Sequence, residues 1–214
     1  MAFTLTGTEE LSIEVSGNLP KDRAMALVGD LPLELVKGHV PVSLLLVQMK
    51  GLRAEGLATP GFNYGQALWR IGIKLDNVPA WLGLLCDIDN TLVRKSAGWL
   101  IRYPLRTATF HFEGSQARGA VDITANGKRC AVFATPTLAE APPPEAPRRL
   151  VVKSSNALWE VPWAEEPAPF RRVARIAFAA EELAEETFGA AVRFLPEGLL
   201  HRGRIHRCGP AKKL

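Results

Sequence analysis

Two aspartates follow an apolar stretch of the chain. Trp81 to Cys86 reads WLGLLC, and the residues after it, Asp87-Ile88-Asp89-Asn90-Thr91, have the form Asp-x-Asp-x-Thr. Two carboxylates at this spacing are candidates for chemistry. The competing interpretation is a strand that ends in an Asp-Asn turn, where side-chain oxygens bond to nearby backbone amides.

Residues of a second kind, imidazole and thiolate, lie near the end of the chain. His201, His206 and Cys208 are all possible Zn²⁺ ligands. In a strand from Arg204 to Cys208, His206 and Cys208 share a face, but His201 precedes the turn and no fourth ligand is visible. Gly-rich phosphate loops, nucleophile elbows and dinucleotide fingerprints are also missing from the sequence. We therefore expect neither a metal site nor a cofactor.

The length and composition fit one globular domain over residues 1–214. Hydrophobic residues make up 47% and charged residues 22% of the 214 positions, as in ordinary soluble proteins. A Pro-rich segment, 135–149, is predicted to be a surface loop within that domain because proline removes backbone donors. Its prolines do not mark a domain boundary.

Charge, cysteines and hydropathy restrict the partners. The net charge of +4 comes from the last residues, which we take as a terminal strand followed by a basic tail at 209–214. That end carries no aromatic residue for base stacking, so nucleic acid is an improbable partner. Three widely spaced cysteines, an acidic N-terminal stretch and the absence of a long apolar run predict a cytoplasmic protein without a membrane span. The oligomeric state cannot be inferred.

Short strands dominate the predicted elements. Alternating apolar residues predict a strand at Leu11 to Val15, a second at Val42 to Val47 and a long strand through Trp69, with further strands after Thr107. Trp81 to Ile88 is apolar on both faces, which places it centrally. Helical segments are fewer: Pro20 to Val28, Leu31 to Val36, a short helix or irregular crossover at Ser96 to Arg102, and an amphipathic helix around Leu183.

About ten short strands with few helices predict a mainly β (α+β) fold. An open sheet of that size would leave unpaired edges, so we expect a closed or nearly closed antiparallel β-barrel-like sheet with a few short helices.

The Asp-x-Asp-x-Thr stretch resembles the haloacid-dehalogenase phosphatases. That resemblance implies Mg²⁺-dependent phosphatase chemistry through Asp87 and Asp89, on a parallel sheet with crossover helices. Here a meander of strands follows the motif, and no aspartate occurs after Asp122 to complete the metal site. We expect this alternative to fail.

A second resemblance, to the acetoacetate decarboxylase family, covers roughly Tyr64 to Phe112. Tyr64-Gly65-Gln66 lies where that family has Tyr-x-Glu, and Ile88-Asp89-Asn90 where it has Leu-Asp-Asn. Tyr103-Pro104-Leu105-Arg106 lies where the family has aromatic-Pro-Lys-Lys. The resemblance implies an acetoacetate decarboxylase-like fold with an interior pocket.

The departures from the family pattern alter the implied chemistry. The family's first lysine forms a Schiff base with the keto acid. In the family, a dry pocket and a neighbouring cation lower the pKa of that lysine. Leu105 at that position has no amine. Arg106 keeps the cation, and Gln66 replaces a glutamate. A second family glutamate falls near Leu46, in a looser alignment.

The resemblance therefore implies a protein that binds a small carboxylate or keto acid without decarboxylating it through a lysine. Its ligand-binding residues would be Arg106, Gln66, Tyr64 and Leu105, with the guanidinium pairing with the carboxylate. An ion pair at a strand start is the structural alternative for Arg106.

The other hypothesis is an enzyme of the same fold that uses a different nucleophile or acid/base. Such a lyase-like enzyme would need another reactive side chain, and the candidates are Lys95, Arg102, His111 and Asp89. Lys95 is expected in a solvated loop, and His111 on an exposed or rim position.

Overall fold

The computed structural model describes residues 4–56, 60–115, 118–141, 148–166 and 168–214. These ranges contain three helices: α1 (Lys21–Val28), α2 (Thr91–Ile101) and α3 (Glu182–Phe188). They also contain fifteen strands: β1 (Leu5–Pro20), β2 (His39–Ala54), β3 (Phe62–Leu75), β4 (Val78–Ile88), β5 (Leu105–Thr107), β6 (Thr109–Ser115), β7 (Arg118–Ala125), β8 (Lys128–Glu140), β9 (Arg149–Ser154), β10 (Ala157–Val161), β11 (Trp163–Glu165), β12 (Phe170–Ala180), β13 (Arg193–Arg202), β14 (Arg204–Cys208) and β15 (Lys212–Lys213).

One large sheet contains all of these strands. Its main path runs β15-β10-β9-β4-β3-β2-β1-β13-β12-β8-β7-β6, while β14 joins β1 to β11 and β5 joins the side of β4. Most neighbours are antiparallel, but β4 pairs in parallel with both β5 and β9. The prediction of a mainly β protein is confirmed.

The sheet curls back on itself without closing by hydrogen bonds. Strand β6 is at one end of the strand order, and β3 is in the interior of that order. Phe110 and Phe112 of β6 nevertheless lie over Gly65 of β3. A Cβ on Gly65 would lie 2.7 Å from Phe110 Cγ, so only glycine permits this approach. The nearly closed sheet that the strand pattern predicts is confirmed.

Both faces of the central strands are buried. Leu44 and Leu46 of β2 pack in one hydrophobic cluster with Trp69, while Leu45 and Val47 pack in a second cluster on the opposite face. Because successive strand residues point to opposite faces, a doubly covered strand needs an unbroken apolar run. The central position predicted for Trp81 to Ile88 holds, since β4 lies between β3 and β9.

The segment from Leu31 to Val36 is not a helix, contrary to the sequence-based prediction. Leu33 forms an isolated bridge to Ile73, and Glu34 N donates to Gly72 O at 3.2 Å. Lys74 N donates in turn to Pro32 O at 2.8 Å. These bonds to β3 satisfy the backbone in place of a helical turn.

Two loop predictions also need correction. Residues 135–140 continue β8 and are not a loop. The pairing of β8 with β7 ends at Ala134, so Pro136 has a strand on one side only, where it pairs with Ala174 of β12. Proline is tolerated where a strand has lost one neighbour. Residues 142–147 of the predicted loop lie outside the described part of the chain. In the basic tail, Lys212 and Lys213 pair with Glu160 and Trp159 as β15.

The helix α2 begins with a side-chain cap. Asn90 Oδ1 accepts from the backbone nitrogens of Leu92 and Val93, at 3.0 and 3.1 Å. Asparagine is favoured there because it satisfies amides that have no partner within the helix. None of the described helices combines the length and apolarity that a bilayer span requires.

Candidate functional site

A cavity of about 370 Å³ lies on the face of the sheet that carries the second hydrophobic cluster. Strands β2, β3 and β4, the helix α2 and the strands β11 and β14 supply its walls. Most of the lining is apolar: Leu5, Leu52, Ala54, Pro60, Phe62, Leu68, Ile88, Val93, Ile101, Leu150, Val161 and Trp163. Such a cavity favours a ligand with an apolar body and few polar groups.

Two residues predicted from the sequence line this cavity. Tyr64 and Gln66 lie two positions apart on β3, so their side chains point to the same face. Gln66 is buried, with 8% of its surface exposed. Burial raises the pKa of the Tyr64 phenol well above its ordinary value, so the hydroxyl stays protonated. Both side chains can donate and accept hydrogen bonds.

The cavity also contains a cation and two thiols. Arg53, an exposed residue of β2, is among the lining residues. Burial raises the pKa of the Cys86 thiol and raises that of Cys208 to about 11. Both sulfurs are therefore protonated at neutral pH and are poor nucleophiles.

The pairing of β5 with β4 separates Leu105 from Arg106. Leu105 pairs with Cys86, a lining residue, and packs against the cluster that surrounds the cavity. Arg106 pairs with Asp87 and its side chain lies on the opposite face. Leu105 does not itself line the cavity, but it stands beside it.

Arg106 does not line the cavity, contrary to the expectation that it and Gln66 approach a common space. Its Nε and Nη2 donate to the two oxygens of Asp87, at 2.5 and 3.0 Å. Its Nη1 donates to Glu186 Oε1 at 3.1 Å, and Nη2 also donates to Thr187 Oγ1. The guanidinium therefore has the structural role that the ion-pair alternative describes.

Asp87 and Asp89 are occupied by donors of the protein itself. Asp87 is fully buried and also accepts from Trp69 Nε1 at 2.6 Å. Asp89 Oδ1 accepts from Gly65 N at 2.9 Å, and burial raises the pKa of this carboxyl. With Asn90 as the cap of α2, the stretch is a strand end that leads directly into a helix. Strand β4 pairs antiparallel with β3 and parallel with β5 and β9, within a mostly antiparallel sheet, whereas the phosphatase resemblance implies a parallel sheet with crossover helices.

The other candidate reactive residues lie away from the cavity. Lys95 is exposed on α2, and the Arg102 guanidinium stacks 5.1 Å from the centre of the Trp159 ring. His111 is exposed, with Nε2 3.3 Å from Glu113 Oε1. None of these side chains lines the cavity, so they do not supply an acid or base there.

A buried charged group, unnoticed in the sequence, stands behind one wall of the cavity. Arg204 Nε donates to Glu9 Oε2 and Arg204 Nη1 donates to Glu165 Oε2, each at 2.7 Å. His206, which lines the cavity, places Nδ1 3.6 Å from Glu9 Oε1. Burial raises the pKa of Glu165 to about 7.

Among the described residues, Glu9, Glu165 and His206 form the group whose donor atoms lie close enough to share a metal ion. Cys208 and His201 do not belong to it. Arg204 already places a positive charge between the two carboxylates, so a cation would be repelled there. The group is better suited to holding His206 in one orientation.

A β-bulge explains why the sequence pattern did not predict the position of Glu9. Glu9 pairs with Met49, whereas Leu11 pairs with Gln48, the adjacent residue of β2. Adjacent residues point to opposite faces, so the shift places Glu9 and Leu11 on opposite faces although they are two positions apart. Simple alternation along β1 would have put them together.

Comparison by sequence identifies no relative: no family model and no curated protein matches the chain. Solved structures do match. The enduracididine biosynthesis enzyme MppR complexed with pyruvate has a TM-score of 0.70 at 14% identity, over 100% of this chain and 90% of its own. An acetoacetate decarboxylase-like enzyme from Sphingomonas wittichii RW1 has a TM-score of 0.70 at 16% identity, over 100% of this chain and 93% of its own.

A third match is the acetoacetate decarboxylase of Legionella pneumophila. Its TM-score is 0.69 at 7% identity, and the alignment covers 98% of this chain and 86% of the Legionella protein. The alignments cover nearly all of this chain and most of each matched protein, so the overall fold is shared. At identities this low, a shared fold does not imply a shared activity. The chain has the fold of the acetoacetate decarboxylase-like enzymes, as the motifs around Gln66 and Tyr103 predict.

Proposed function

We propose that this is a cytoplasmic protein that binds a small organic acid, a carboxylate or keto acid, in the cavity beside Tyr64 and Gln66. The observation that carries the proposal is the cavity itself, an apolar space of about 370 Å³ with these two hydrogen-bonding side chains on one wall. Three free cysteines agree with a reducing compartment.

The cation that attracts the acid is Arg53 in this proposal, because Arg53 lines the cavity and Arg106 does not. An exposed guanidinium retains its charge and can pair with a carboxylate in a bidentate manner. The acid group would lie toward Arg53, while the apolar body would fill the space toward Leu68 and Ile88. Gln66 would bond to a carbonyl or hydroxyl oxygen of the ligand.

Related folds support this class of ligand. MppR has been solved with pyruvate, and also with the condensation product of pyruvate and imidazole 4-carboxaldehyde. We extend only the ligand class to this chain. A lysine Schiff base is not part of the proposal, since the motif resemblance aligns Leu105 with the family's lysine.

A thermal-shift screen followed by calorimetry tests the proposal. The probes are pyruvate, acetoacetate and short branched carboxylates, each beside its uncharged amide. A ligand that binds only the native state adds about 2.7 kcal/mol of stability at a hundredfold excess over Kd. We expect acids to stabilise the protein and their amides to do so far less.

Variants place the ligand within the cavity. Gln66→Leu and Arg53→Gln should each weaken acid binding at least tenfold, whereas the matched changes Gln48→Leu and Arg129→Gln, away from the lining, should not. Equal binding of acids and amides would contradict the role of Arg53. Acid binding that survives both cavity substitutions would place the ligand elsewhere.

A further inference from the structure

One polar side chain of the cavity lining lies close to a buried carboxylate. His206 lies on β14, where it pairs with Gly7, and only 5% of its surface is exposed. Its ring stands edge-on to Trp163, with ring centres 4.1 Å apart, and both residues line the cavity. His206 is therefore a buried polar group in a mostly apolar lining.

The carboxylate of Glu9 favours one of the two neutral forms of the His206 ring. Nδ1 is 3.6 Å from Oε1 of Glu9, whose side chain is fully buried and whose other oxygen accepts from Arg204. A carboxylate accepts hydrogen bonds and donates none when ionised, so the Nδ1–H form of the imidazole is the one that fits. The 3.6 Å separation is beyond hydrogen-bond distance, so it is the electrostatic attraction between an Nδ1–H group and the carboxylate that favours this form.

This assignment leaves Nε2 with a lone pair. Nδ1 of His206 is among the buried atoms without a hydrogen-bond partner in the described structure, whereas Nε2 is not, and the residue lines the cavity. Burial and the nearby Arg204 lower the pKa of the imidazole to about 3, so the ring is neutral at physiological pH. The unprotonated nitrogen is an acceptor for a donor group of a molecule inside the cavity.

We propose that Nε2 of His206 accepts a hydrogen bond from a hydroxyl group of the ligand, so that the preferred ligands of the cavity are hydroxylated. The inference rests on the proposed function for the acid group and adds the hydroxyl as a second recognised feature. Hydroxy acids and enolic forms of keto acids satisfy both.

The physical basis for the preference is the cost of an unpaired buried acceptor. A ligand without a donor displaces water from Nε2 and leaves it unbonded, which weakens binding by more than the missing hydrogen bond alone would suggest. Sites that bond to a substrate hydroxyl discriminate strongly against the analogue that lacks it. We therefore expect at least a tenfold difference between matched ligands.

Calorimetry with matched pairs measures that difference. The first pairs are short straight-chain carboxylic acids and their terminal hydroxy derivatives; the second pair is phenol and its methyl ether, anisole, which lacks only the donor. Wild-type protein should bind the hydroxylated member at least tenfold more tightly in at least one acid pair and in the phenol pair. Equal affinities within every pair would overturn the inference.

Two variants isolate His206. His206→Phe removes the acceptor while keeping a flat ring, and it should reduce the preference to about one without weakening the unhydroxylated acids. His206→Gln keeps an acceptor and should retain part of the preference. A preference that His206→Phe leaves intact would contradict the assignment.

A direct readout comes from ¹⁵N spectra of the imidazole rings, which distinguish the two neutral forms. The His206 ring should be in the Nδ1–H form in wild type and should shift toward the Nε2–H form in Glu9→Gln, whose amide can donate to Nδ1. An Nε2–H ring in wild type would contradict the proposal even before a ligand is added.

The two proposals fail in different ways. If acids do not bind but phenol still binds more tightly than anisole, the proposed function is wrong and the role of His206 stands. If acids bind without any preference for a hydroxyl, the proposed function stands and the role of His206 is wrong. If neither acids nor phenol binds, both are wrong.

Discussion

Arg106 and Asp87 form a bidentate ion pair on the face of the sheet that is turned away from the cavity. Arg106 Nε and Nη2 each donate to one oxygen of Asp87, and the Asp87 side chain is fully buried. The parallel pairing of β5 with β4 sets these two residues side by side and leaves Leu105 beside Cys86 on the other face. Leu105 and Arg106 are adjacent in sequence, yet Leu105 lies beside the cavity and Arg106 forms its ion pair on the opposite face.

Replacing Arg106 should unfold the protein more readily without altering ligand affinity. Breaking a buried pair leaves Asp87 uncompensated, and such losses are about 3–5 kcal/mol. Arg106→Ala should therefore lower the urea midpoint sharply, and Arg106→Lys should recover only part of it because an ammonium cannot bond to both oxygens in a planar fork. Urea denaturation followed by tryptophan fluorescence measures this.

The matched control is Arg129→Ala. Arg129 pairs with Asp122 at the surface, where its side chain is 55% exposed, and such pairs contribute about 1 kcal/mol or less. Loss of acid binding in folded Arg106→Ala, at unchanged stability, would show instead that Arg106 serves the ligand.

Leu105→Lys should give the protein the ability to trap a keto acid. The new amine would stand beside Cys86 and the apolar cluster, where burial lowers the pKa of lysine and favours the reactive neutral form. Borohydride reduction in the presence of pyruvate, followed by peptide mass spectrometry, should find substrate on residue 105 of this variant. Leu105→Met controls for the altered packing.

Wild-type protein should show no such adduct under the same conditions, since leucine forms no imine. A specific adduct on Lys95 of the wild type would contradict the expectation that lysine Schiff-base chemistry is missing.

Acid should destabilise the protein through His201. This side chain is 3% exposed, neither ring nitrogen has a partner in the described structure, and burial, with Arg204 and Arg171, lowers its pKa to about 3 although Glu14 opposes that shift. In the unfolded chain this imidazole has its ordinary pKa of 6.5, whereas in the folded chain it is about 3. Between these values the unfolded state binds the proton more tightly, so the free energy of unfolding decreases as the pH falls from 6.5 toward 3. His206 behaves in the same way.

His201→Leu should therefore flatten the acid limb of the stability curve. The variant takes up one proton fewer when it unfolds, so the slope of its unfolding free energy against pH is smaller by about 1.4 kcal/mol per pH unit. Urea midpoints between pH 6.5 and 4 measure it. An unchanged slope would mean that His201 titrates normally in the folded protein.

Glu165→Gln provides a control of opposite sign. Burial raises the Glu165 pKa to about 7, so the folded state binds this proton more tightly than the unfolded state does, and stability declines as the pH rises from 4.5 to 7. Removing the carboxyl should abolish that decline.

Gly83→Ala should damage the cavity through Tyr103. A Cβ at position 83 would overlap the Tyr103 ring, and Tyr103 is both buried and part of the cavity lining. Either the tyrosine moves into the cavity or the strand shifts, so acid affinity and the free energy of unfolding should both fall, the latter by about 1–3 kcal/mol. Calorimetry and urea denaturation give the two values.

Gly209→Ala is the comparison, because a Cβ there would meet Pro162 at an ordinary 3.6 Å. A Gly83→Ala variant that matched Gly209→Ala in both measurements would show that Tyr103 adjusts freely.

The sequence alone was sufficient for the class of fold and for part of the cavity. Alternation of apolar residues predicts the strands, the unbroken run before Asp87 predicts a central strand, and the motif around Gln66 places Tyr64 and Gln66 on one face. These are local properties, since periods of two and apolar runs are written in consecutive residues. The absence of an amine at Leu105 is likewise a matter of residue identity.

Tertiary structure decided where the charges lie. The direction of Arg106 depends on the parallel pairing of β5 with β4, and the face of Glu9 depends on a bulge in β1, neither of which leaves a periodic signature in the sequence. Glu9 and Arg204 meet across 195 positions of sequence separation. Pairing registers between distant segments are set by the packing of the whole sheet, so only the folded chain could bring Glu9 behind His206 and turn Arg106 away from the cavity.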